Sequence, residues 1–189
     1  MPEFVPPTAA QIFAVSELGE PAAALLREDL GARDYLKLLL DNHHFPDAVR
    51  FVAHALPKRE AVWWAWYCAR RTAGADPQGK FKAALDATEQ WIAQPTEENR
   101  RAAWSAGEAA EFGTAAGCAC LGAFFSGGSL APPNCPVVAP GDFLTAKAVS
   151  GAVIFAAISS EPEKAEEKFR AFLDQGVGVV NRIKIWGKE

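Results

Sequence analysis

The sequence predicts an all-α fold, either an irregular helical bundle or a stack of helical hairpins as in solenoids, around a central tryptophan-rich helix. Nine consecutive apolar residues, 61–69, carry three of the six tryptophans, and a helix that is apolar on every side has to be enclosed. A nearly apolar run at 148–158 predicts a second central helix. Caps, glycines and prolines divide the rest into helix-length segments, and no segment shows a convincing strand meander.

The first part of the chain carries short elements. Thr8 is placed to cap a helix of one or two turns, and Pro21 fits the first turn of a second short helix that Gly31 ends. With the proline-rich leader these elements make up residues 1–32. Residues 33–189 are predicted to form the helical core, and the whole chain is expected to be one domain.

The core helices are delimited by prolines and by capping threonines. Pro46 and Pro57 separate the first three helices, and Thr96 and Thr114 are N-caps of two alanine-rich helices. The predicted helices lie at 33–44, 47–56, 58–71, 80–94, 97–112, 115–125, 142–160 and 163–175. A long glycine- and proline-rich loop is expected at 126–141, and Gly176 is expected to end the last helix. The remaining residues, 177–189, fit a strand as well as a helix.

Charge and hydropathy narrow the function classes. The 189 residues include 23 acids and 19 bases, and a net charge of −4 disfavours a nucleic-acid role, which usually requires a clustered basic surface. Residues 1–13 show no basic region followed by a long apolar run, so no secretory signal is expected. The longest apolar tract has 11 residues and a bilayer span needs about 20. We therefore expect a cytoplasmic protein without membrane insertion.

The three histidines are the only candidates for a metal site. His43 and His44 follow one helix, and His54 lies on the predicted outward face of the next, so the three imidazoles are able to converge with Asp41 or Asp47. The spacing is less compact than that of typical zinc sites. Adjacent histidines at a helix carboxyl end are explained more simply by the helix dipole. A metal-dependent enzyme is therefore the third functional hypothesis, and no metal or cofactor is predicted.

Cysteines and glycines give weaker signals. Cys118 and Cys120 are two residues apart and point to different sides of a helix, while Cys135 in the loop is the thiol most expected to be exposed. No neighbouring base or cation is present in the sequence to activate it. The glycines of 126–129 offer backbone amides to an anion, but the lysine and hydroxyl residue of a phosphate-binding loop do not follow. A simple turn is the favoured interpretation.

A candidate partner-binding surface lies on the helix that Thr96 caps. Arg100, Trp104 and Glu108 share one face, Arg101 adjoins it, and the 126–141 loop is expected beside it. An aromatic ring flanked by arginines is the composition of interface hot spots. An arginine stacked on a surface ring is an equally good explanation.

Three segments, at 55–70, 84–104 and 112–132, resemble an uncharacterised family of small bacterial proteins that is associated with type VI and related secretion genes. The similarity covers residues 46–160. It implies a protein that works by binding another protein, and it supplies no catalytic residues to transfer. The leading hypothesis is therefore a non-catalytic adaptor or chaperone-like accessory of a secretion system, whose partner is a secretion component or an effector.

The order of the tryptophan helix and the two alanine-rich helices is also similar to that of some helical immunity proteins of bacterial toxin systems. The histidine-bearing helix that occurs late in those proteins has no counterpart here. This second resemblance implies the alternative function, neutralisation of a cognate toxin by direct binding.

Overall fold

The computed structural model describes residues 7–75 and 77–186, which form ten α-helices and one 3-10 turn. The helices are α1 Ala9–Ser16, α2 Glu20–Ala23, α3 Ala32–Asp41, α4 Phe45–Ala55, α5 Lys58–Thr72, α6 Gly79–Ala93, α7 Glu97–Ala109, α8 Ala115–Phe124, α9 Leu144–Ile158 and α10 Ala165–Arg182, with the 3-10 turn at Pro162–Lys164. No strand occurs in these two ranges. The predicted all-α helical bundle is confirmed.

Helices α5, α8 and α9 form the centre of the bundle and pack against one another. Helices α6 and α7 contact α8 and each other, whereas α4 and α10 pack on α9. Helices α1 and α3 lie against α4. The predicted pairing of the tryptophan helix α5 with the apolar helix α9 is therefore present, and both helices owe their central position to their apolar surfaces.

Small residues on α8 allow its neighbours to approach closely. A Cβ atom on Gly117 would lie 2.2 Å from the carbonyl oxygen of Glu111, and one on Gly122 would lie 3.2 Å from both Val62 and Val149. Nine of the ten residues of α8 are buried. The alanine, glycine and cysteine content of this helix is thus the reason that it fits inside the bundle.

The three tryptophans of α5 occupy different environments. Trp64 is fully buried and its indole nitrogen donates to the carbonyl oxygen of Phe172 at 2.7 Å. Trp66 is partly buried and donates to Leu85 at 3.1 Å. Trp63 is partly buried and stacks on Tyr67. The prediction that α5 is enclosed on every side is wrong for Trp63, because this ring lines an open groove beside α6 and α10.

Several predicted helix boundaries are confirmed by their caps. Thr8 forms a capping box with Gln11, and the hydroxyls of Thr96 and Thr114 accept from the third backbone amide of α7 and α8. Pro46 lies in the first turn of α4, as expected. These boundaries depend on residues that are neighbours in the sequence, and they can therefore be predicted from it.

Two glycines do not act as the predicted helix stops. Helix α2 ends at Ala23, and Gly31 is instead the N-cap of α3. Helix α10 continues past Gly176 to Arg182, so residues 177–182 of the ambiguous tail are helical; residues 187–189 lie outside the described residues. Gly176 is buried, and a Cβ atom there would lie 2.8 Å from the Trp64 ring. Its role is close helix packing.

In the described ranges, no single helix is long and apolar enough to cross a membrane. Helix α9 and the segment Pro162–Arg182 reach the required length and composition only together, and the chain bends by 114° between them.

Candidate interaction surface at the loop between α8 and α9

The residues between α8 and α9, 125–143, form a closed and hydrogen-bonded loop, here called the α8–α9 loop. The hydroxyl of Ser129 accepts from the backbone amides of Ala131 and Val138, each at 3.1 Å. The amide of Leu130 donates to the carbonyl oxygen of Val138 at 2.8 Å. These bonds bring the two arms together, as in a compact Ω-loop, and hold residues 132–137 as a defined projection.

Arg100 on α7 anchors this loop from inside the protein. The residue is only 3% exposed. Its guanidinium donates to the carbonyl oxygen of Phe124, at the carboxyl end of α8, over 2.6 Å and to that of Ser129 over 2.9 Å. One side chain therefore satisfies a free carbonyl at a helix end and fixes the start of the loop.

Glu97 balances the charge of this anchor. Its carboxylate accepts from Nε of Arg100 at 2.6 Å and from Nε of Arg101 at 2.7 Å. The hydrogen bond from Arg100 is the main reason that the pKa of Glu97 lies below its usual value. Arg101 also donates to the carbonyl oxygen of Ala131 at 3.0 Å. Two arginines and one carboxylate thus bind the loop to α7.

Gly128 lets the loop backbone pass directly over the anchor. Its φ angle is +65°, and a Cβ atom there would lie 2.8 Å from Nε of Arg100 and from Oε2 of Glu97. Carbonyl oxygens of the 126–129 segment accept hydrogen bonds from cationic side chains. The carbonyl oxygen of Ser126 accepts from the ammonium of Lys58 at 3.2 Å, and that of Ser129 accepts from the guanidinium of Arg100. These contacts favour the simple turn over the anion-binding alternative.

The predicted partner-binding residues are therefore divided between interior and surface. Arg100 is buried and lies over the Phe124 ring at 4.5 Å, so its guanidinium does not form part of an exposed face as the sequence suggested. Trp104 is half-buried, with Phe112 and Phe124 at centroid distances of 4.9 and 4.6 Å. Arg101 is partly exposed and Glu108 is exposed. Arg100 supports the loop from below, whereas Trp104 packs on Phe112 and on the end of α8 at Phe124.

The exposed apolar residues of the α8–α9 loop were not predicted. Val137 is 80% exposed and Val138 is 51% exposed, and Phe143 at the end of the loop is also exposed. Single exposed apolar side chains are common on protein surfaces, whereas contiguous apolar patches mark interaction sites, and Val137 and Val138 are adjacent. The signal in the sequence is the pair of valines between two prolines, 136–140, within the predicted loop.

The three histidines have different partners. His43 has a positive φ of 60° and its Nδ1 lies 3.4 Å from Glu166, while His44 is the N-cap of α4. His54 was expected on the outer face of α4, but it is half-buried, and its Nδ1 lies 2.8 Å from the carbonyl oxygen of Arg50. Within 7–75 and 77–186, no group of three or more histidine, cysteine or acidic side chains is placed to hold a metal ion.

A model of a protein family of unknown function, DUF6931, matches residues 35–180 of this chain. The chain belongs to this family. The match includes α7, α8, α9 and the loop between them, so the Arg100 anchor lies within the DUF6931 region. The predicted membership of an uncharacterised family is confirmed, whereas the association with secretion genes stays a prediction. No curated protein and no solved structure matches the chain.

The cysteines of this DUF6931 member follow the sequence prediction. Cys118 and Cys120 are buried and face different neighbours, since Cys118 donates to Phe112 at 3.0 Å and Cys120 to Ala84 at 3.3 Å. Burial raises the pKa of each of these two thiols to about 11, which keeps them protonated. Cys135 is exposed on the loop, as predicted.

Proposed function

We propose that this DUF6931 protein is a non-catalytic protein-binding module and that the α8–α9 loop is its contact surface. One observation carries the proposal: Val137 and Val138 are 80% and 51% exposed on a loop that a buried guanidinium holds in place. The proposed contact surface is therefore the loop, whereas the sequence indicated the face of α7 beside it. Arg100 anchors the contact surface, and the valines make the contact.

The physical advantage of this arrangement is pre-organisation. Binding costs free energy when flexible side chains and loops become ordered, and a loop that is already fixed avoids most of that cost. Complete burial of a valine side chain contributes about 1.5 kcal/mol or more. The two adjacent valines therefore supply a compact apolar anchor, while Arg101 and Glu97 beside the loop offer a polar rim.

The proposed partner is a component or effector of a bacterial secretion system, with the protein acting as an adaptor or chaperone-like accessory in the cytoplasm. The support for this part is the resemblance of residues 46–160 to proteins associated with type VI and related secretion genes. Deletion of the gene is then expected to reduce secretion without causing toxicity. The alternative, an immunity protein, predicts instead that co-expression with an adjacent toxin gene restores survival.

The loop itself is tested by substitution of its valines. In the native host, a tagged Val137→Asp/Val138→Asp double variant is expected to capture the wild-type partner at least about tenfold less, because a carboxylate is costly to bury in an apolar contact. Ile158→Asp, at the end of α9, is the matched control, since Ile158 is an exposed apolar residue outside the loop. Equal capture by the double variant and the wild type would exclude the loop as the contact surface.

A further inference from the structure

A groove runs along the surface between α5 and α10 and is here called the α5–α10 groove. It consists of two hollows, of about 310 and 390 Å³. The hollows adjoin each other, since Trp63 lines the first and Tyr67 the second, and these two rings stack with their centroids 5.6 Å apart. All the residues that line the groove belong to α5, α6 and α10 or to Ile183 at the end of α10. The groove is thus a surface separate from the α8–α9 loop.

The two helices are antiparallel along this groove. Trp63 in the first half of α5 faces Arg182 in the last turn of α10, and Arg71 in the last turn of α5 faces Lys168 in the first turn of α10. Between Glu60 and Arg71, α5 rises by about 16 Å at 1.5 Å per residue. The groove therefore has the length of a helix of about 11 residues.

The first hollow has an apolar lining that is open to solvent. Trp63 and Ile92 are only partly buried, Ile183 is 37% exposed, and Val179 completes the lining. These side chains come from three helices and lie together, and contiguous apolar groups of this kind mark interaction sites. The half-buried Trp63 and Tyr67 are also of the residue types that are enriched at interface hot spots.

The charges along the groove indicate the charge of the partner. Each end has two cations and one carboxylate, which are Arg59, Arg182 and Glu60 at one end and Arg71, Lys168 and Glu167 at the other. Both ends are thus net positive, although the whole chain has a net charge of −4. A partner with acidic groups is favoured at both ends.

Arg71 and Arg182 are the cations that remain available to a partner. Arg59 and Lys168 already donate to backbone carbonyl oxygens of neighbouring segments. Arg71 and Arg182 are exposed and have neither an ion pair nor a side-chain hydrogen bond within 7–75 and 77–186. A carboxylate near each end of a bound partner would give these two guanidinium groups a charge-assisted hydrogen bond.

A helix fits this groove better than an extended peptide. The groove between two helices receives the side-chain ridge of a third helix, as in helical bundles. An extended peptide gains affinity from main-chain hydrogen bonds to a sheet edge, and the described part of the chain has no strand. We propose that the α5–α10 groove binds an amphipathic helix of a partner protein, with an apolar face and an acidic residue near each end.

The spacing of residues on this partner helix follows from the groove. Apolar side chains three and four positions apart form the face that contacts Trp63, Val179 and Ile183. Residues about 11 positions apart lie on the same face of a helix and are about 16 Å apart, so two carboxylates at this spacing reach Arg71 and Arg182. The apolar contact supplies most of the affinity, and the ion pairs supply the selectivity for an acidic helix.

The test is a titration of the full chain with three synthetic alanine-rich helical peptides of about 15 residues. The acidic peptide has a stripe of leucines and two glutamates about 11 positions apart. The second peptide has lysines in place of the glutamates, and the third has glutamines in place of the leucines. The indole ¹⁵N signal of Trp63, assigned with Trp63→Phe, reports binding in the groove. We expect saturable binding of the acidic peptide at micromolar concentration and at least about tenfold weaker binding of the other two.

Reversal of the two available cations tests the charge match. Arg71→Glu/Arg182→Glu is expected to weaken binding of the acidic peptide at least about tenfold and to strengthen binding of the lysine peptide. The control Arg27→Glu/Lys37→Glu changes the net charge by the same amount at exposed residues that do not line the groove. This control is expected to change each affinity by less than about twofold, because exposed charges at a distance are screened by salt.

Three results would overturn the proposal: no saturable Trp63 shift with the acidic peptide, equal binding of the acidic and lysine peptides, or an unchanged affinity in Arg71→Glu/Arg182→Glu. Self-association of the wild type in sedimentation, abolished by the same double variant, would assign the groove to a second copy of this chain and contradict a helical partner. Val137→Asp/Val138→Asp is expected to bind the acidic peptide as the wild type does. Failure of the loop proposal is therefore distinguishable from failure of this one.

Discussion

The guanidinium of Arg100 donates to the carbonyl oxygen of Ser129 over 2.9 Å, although the two residues lie on different elements and are 29 positions apart. Arg100 is buried beneath the α8–α9 loop, and its second donor group holds the carboxyl end of α8. The position of the exposed valines therefore depends on a residue that does not itself reach the surface.

Substitution of the anchor is expected to loosen the loop. Arg100→Ala leaves the carbonyl oxygen of Phe124 without its side-chain donor and that of Ser129 with only a longer bond from Arg101 at 3.4 Å. We expect a loss of about 2–3 kcal/mol in the free energy of unfolding. Urea denaturation measures this loss, and hydrogen exchange at the amides of Leu130 and Val138 is expected to accelerate. Arg101→Ala removes a more exposed ion pair and the outer bonds to the loop, and is expected to cost less, about 1 kcal/mol. An Arg100→Ala variant as stable as the wild type would exclude the anchoring role of Arg100.

Gly128 and Gly127 form a matched pair within the loop. Gly128→Ala places a Cβ atom against Arg100 and Glu97 at a residue with positive φ, and we expect a cost of about 2 kcal/mol. Gly127→Ala meets no atom within 4 Å and is expected to be neutral. Thermal denaturation of the two variants checks the difference. Equal melting temperatures for the two variants would show that Gly128 is not in close contact with Arg100 and Glu97.

Two glycines on α10 make a similar comparison in the core. Gly176→Ala places a Cβ atom 2.8 Å from the Trp64 ring and 3.0 Å from Val52, and the overpacking is expected to cost about 1–3 kcal/mol. Gly178 is exposed and has nothing within 4 Å, so Gly178→Ala is expected to stabilise the helix by about 1 kcal/mol. Chemical denaturation gives both values. Stabilisation by both substitutions would contradict the close contact between α5 and α10.

The half-buried His54 predicts a specific pH dependence of stability. Burial lowers its folded-state pKa below the ordinary value of 6.5, so at acid pH the unfolded chain binds more protons than the folded one. The contribution of neutral His54 to stability is complete above its pKa in the unfolded chain. It is lost as the pH falls towards the lower pKa of His54 in the folded protein. Between about pH 7.5 and 5.5, the free energy of unfolding is therefore expected to decrease more for the wild type than for His54→Gln.

His43 and His44 are present in both of these proteins, so the difference between the two pH profiles isolates His54. Parallel profiles in urea denaturation would show that burial of His54 does not disfavour its protonation.

The sequence was sufficient for features that depend on neighbouring residues. Thr8, Thr96 and Thr114 were identified as N-caps because the bond that each makes is to a backbone amide three residues later. The central position of α5 and α9 followed from their apolar surfaces. In each case the deciding interaction is local or is set by the hydrophobic pattern of a single helix.

The sequence was insufficient where distant segments meet. A glycine at the end of an apolar pattern predicts a helix end, and so the sequence places the end of α10 at Gly176. The same pattern arises when the glycine leaves space for a ring on another helix, as Gly176 does for Trp64. Arg100 was assigned to the surface because its helix pattern does not reveal that α8 ends above it. The exposure of Val137 and Val138 depends on the hydrogen bond from the backbone amide of Val138 to the hydroxyl of Ser129, two residues that are nine positions apart.

The proposal that the α8–α9 loop contacts a partner is tested most directly by site-specific photo-crosslinking in the native host. A benzophenone amino acid replaces Val137 in one variant and Ile158 in the other, since both positions are exposed and apolar. We expect a covalent adduct with one partner protein from position 137, competed by untagged wild-type protein, and little or none from position 158. An adduct that forms equally at both positions, or only at 158, would contradict it.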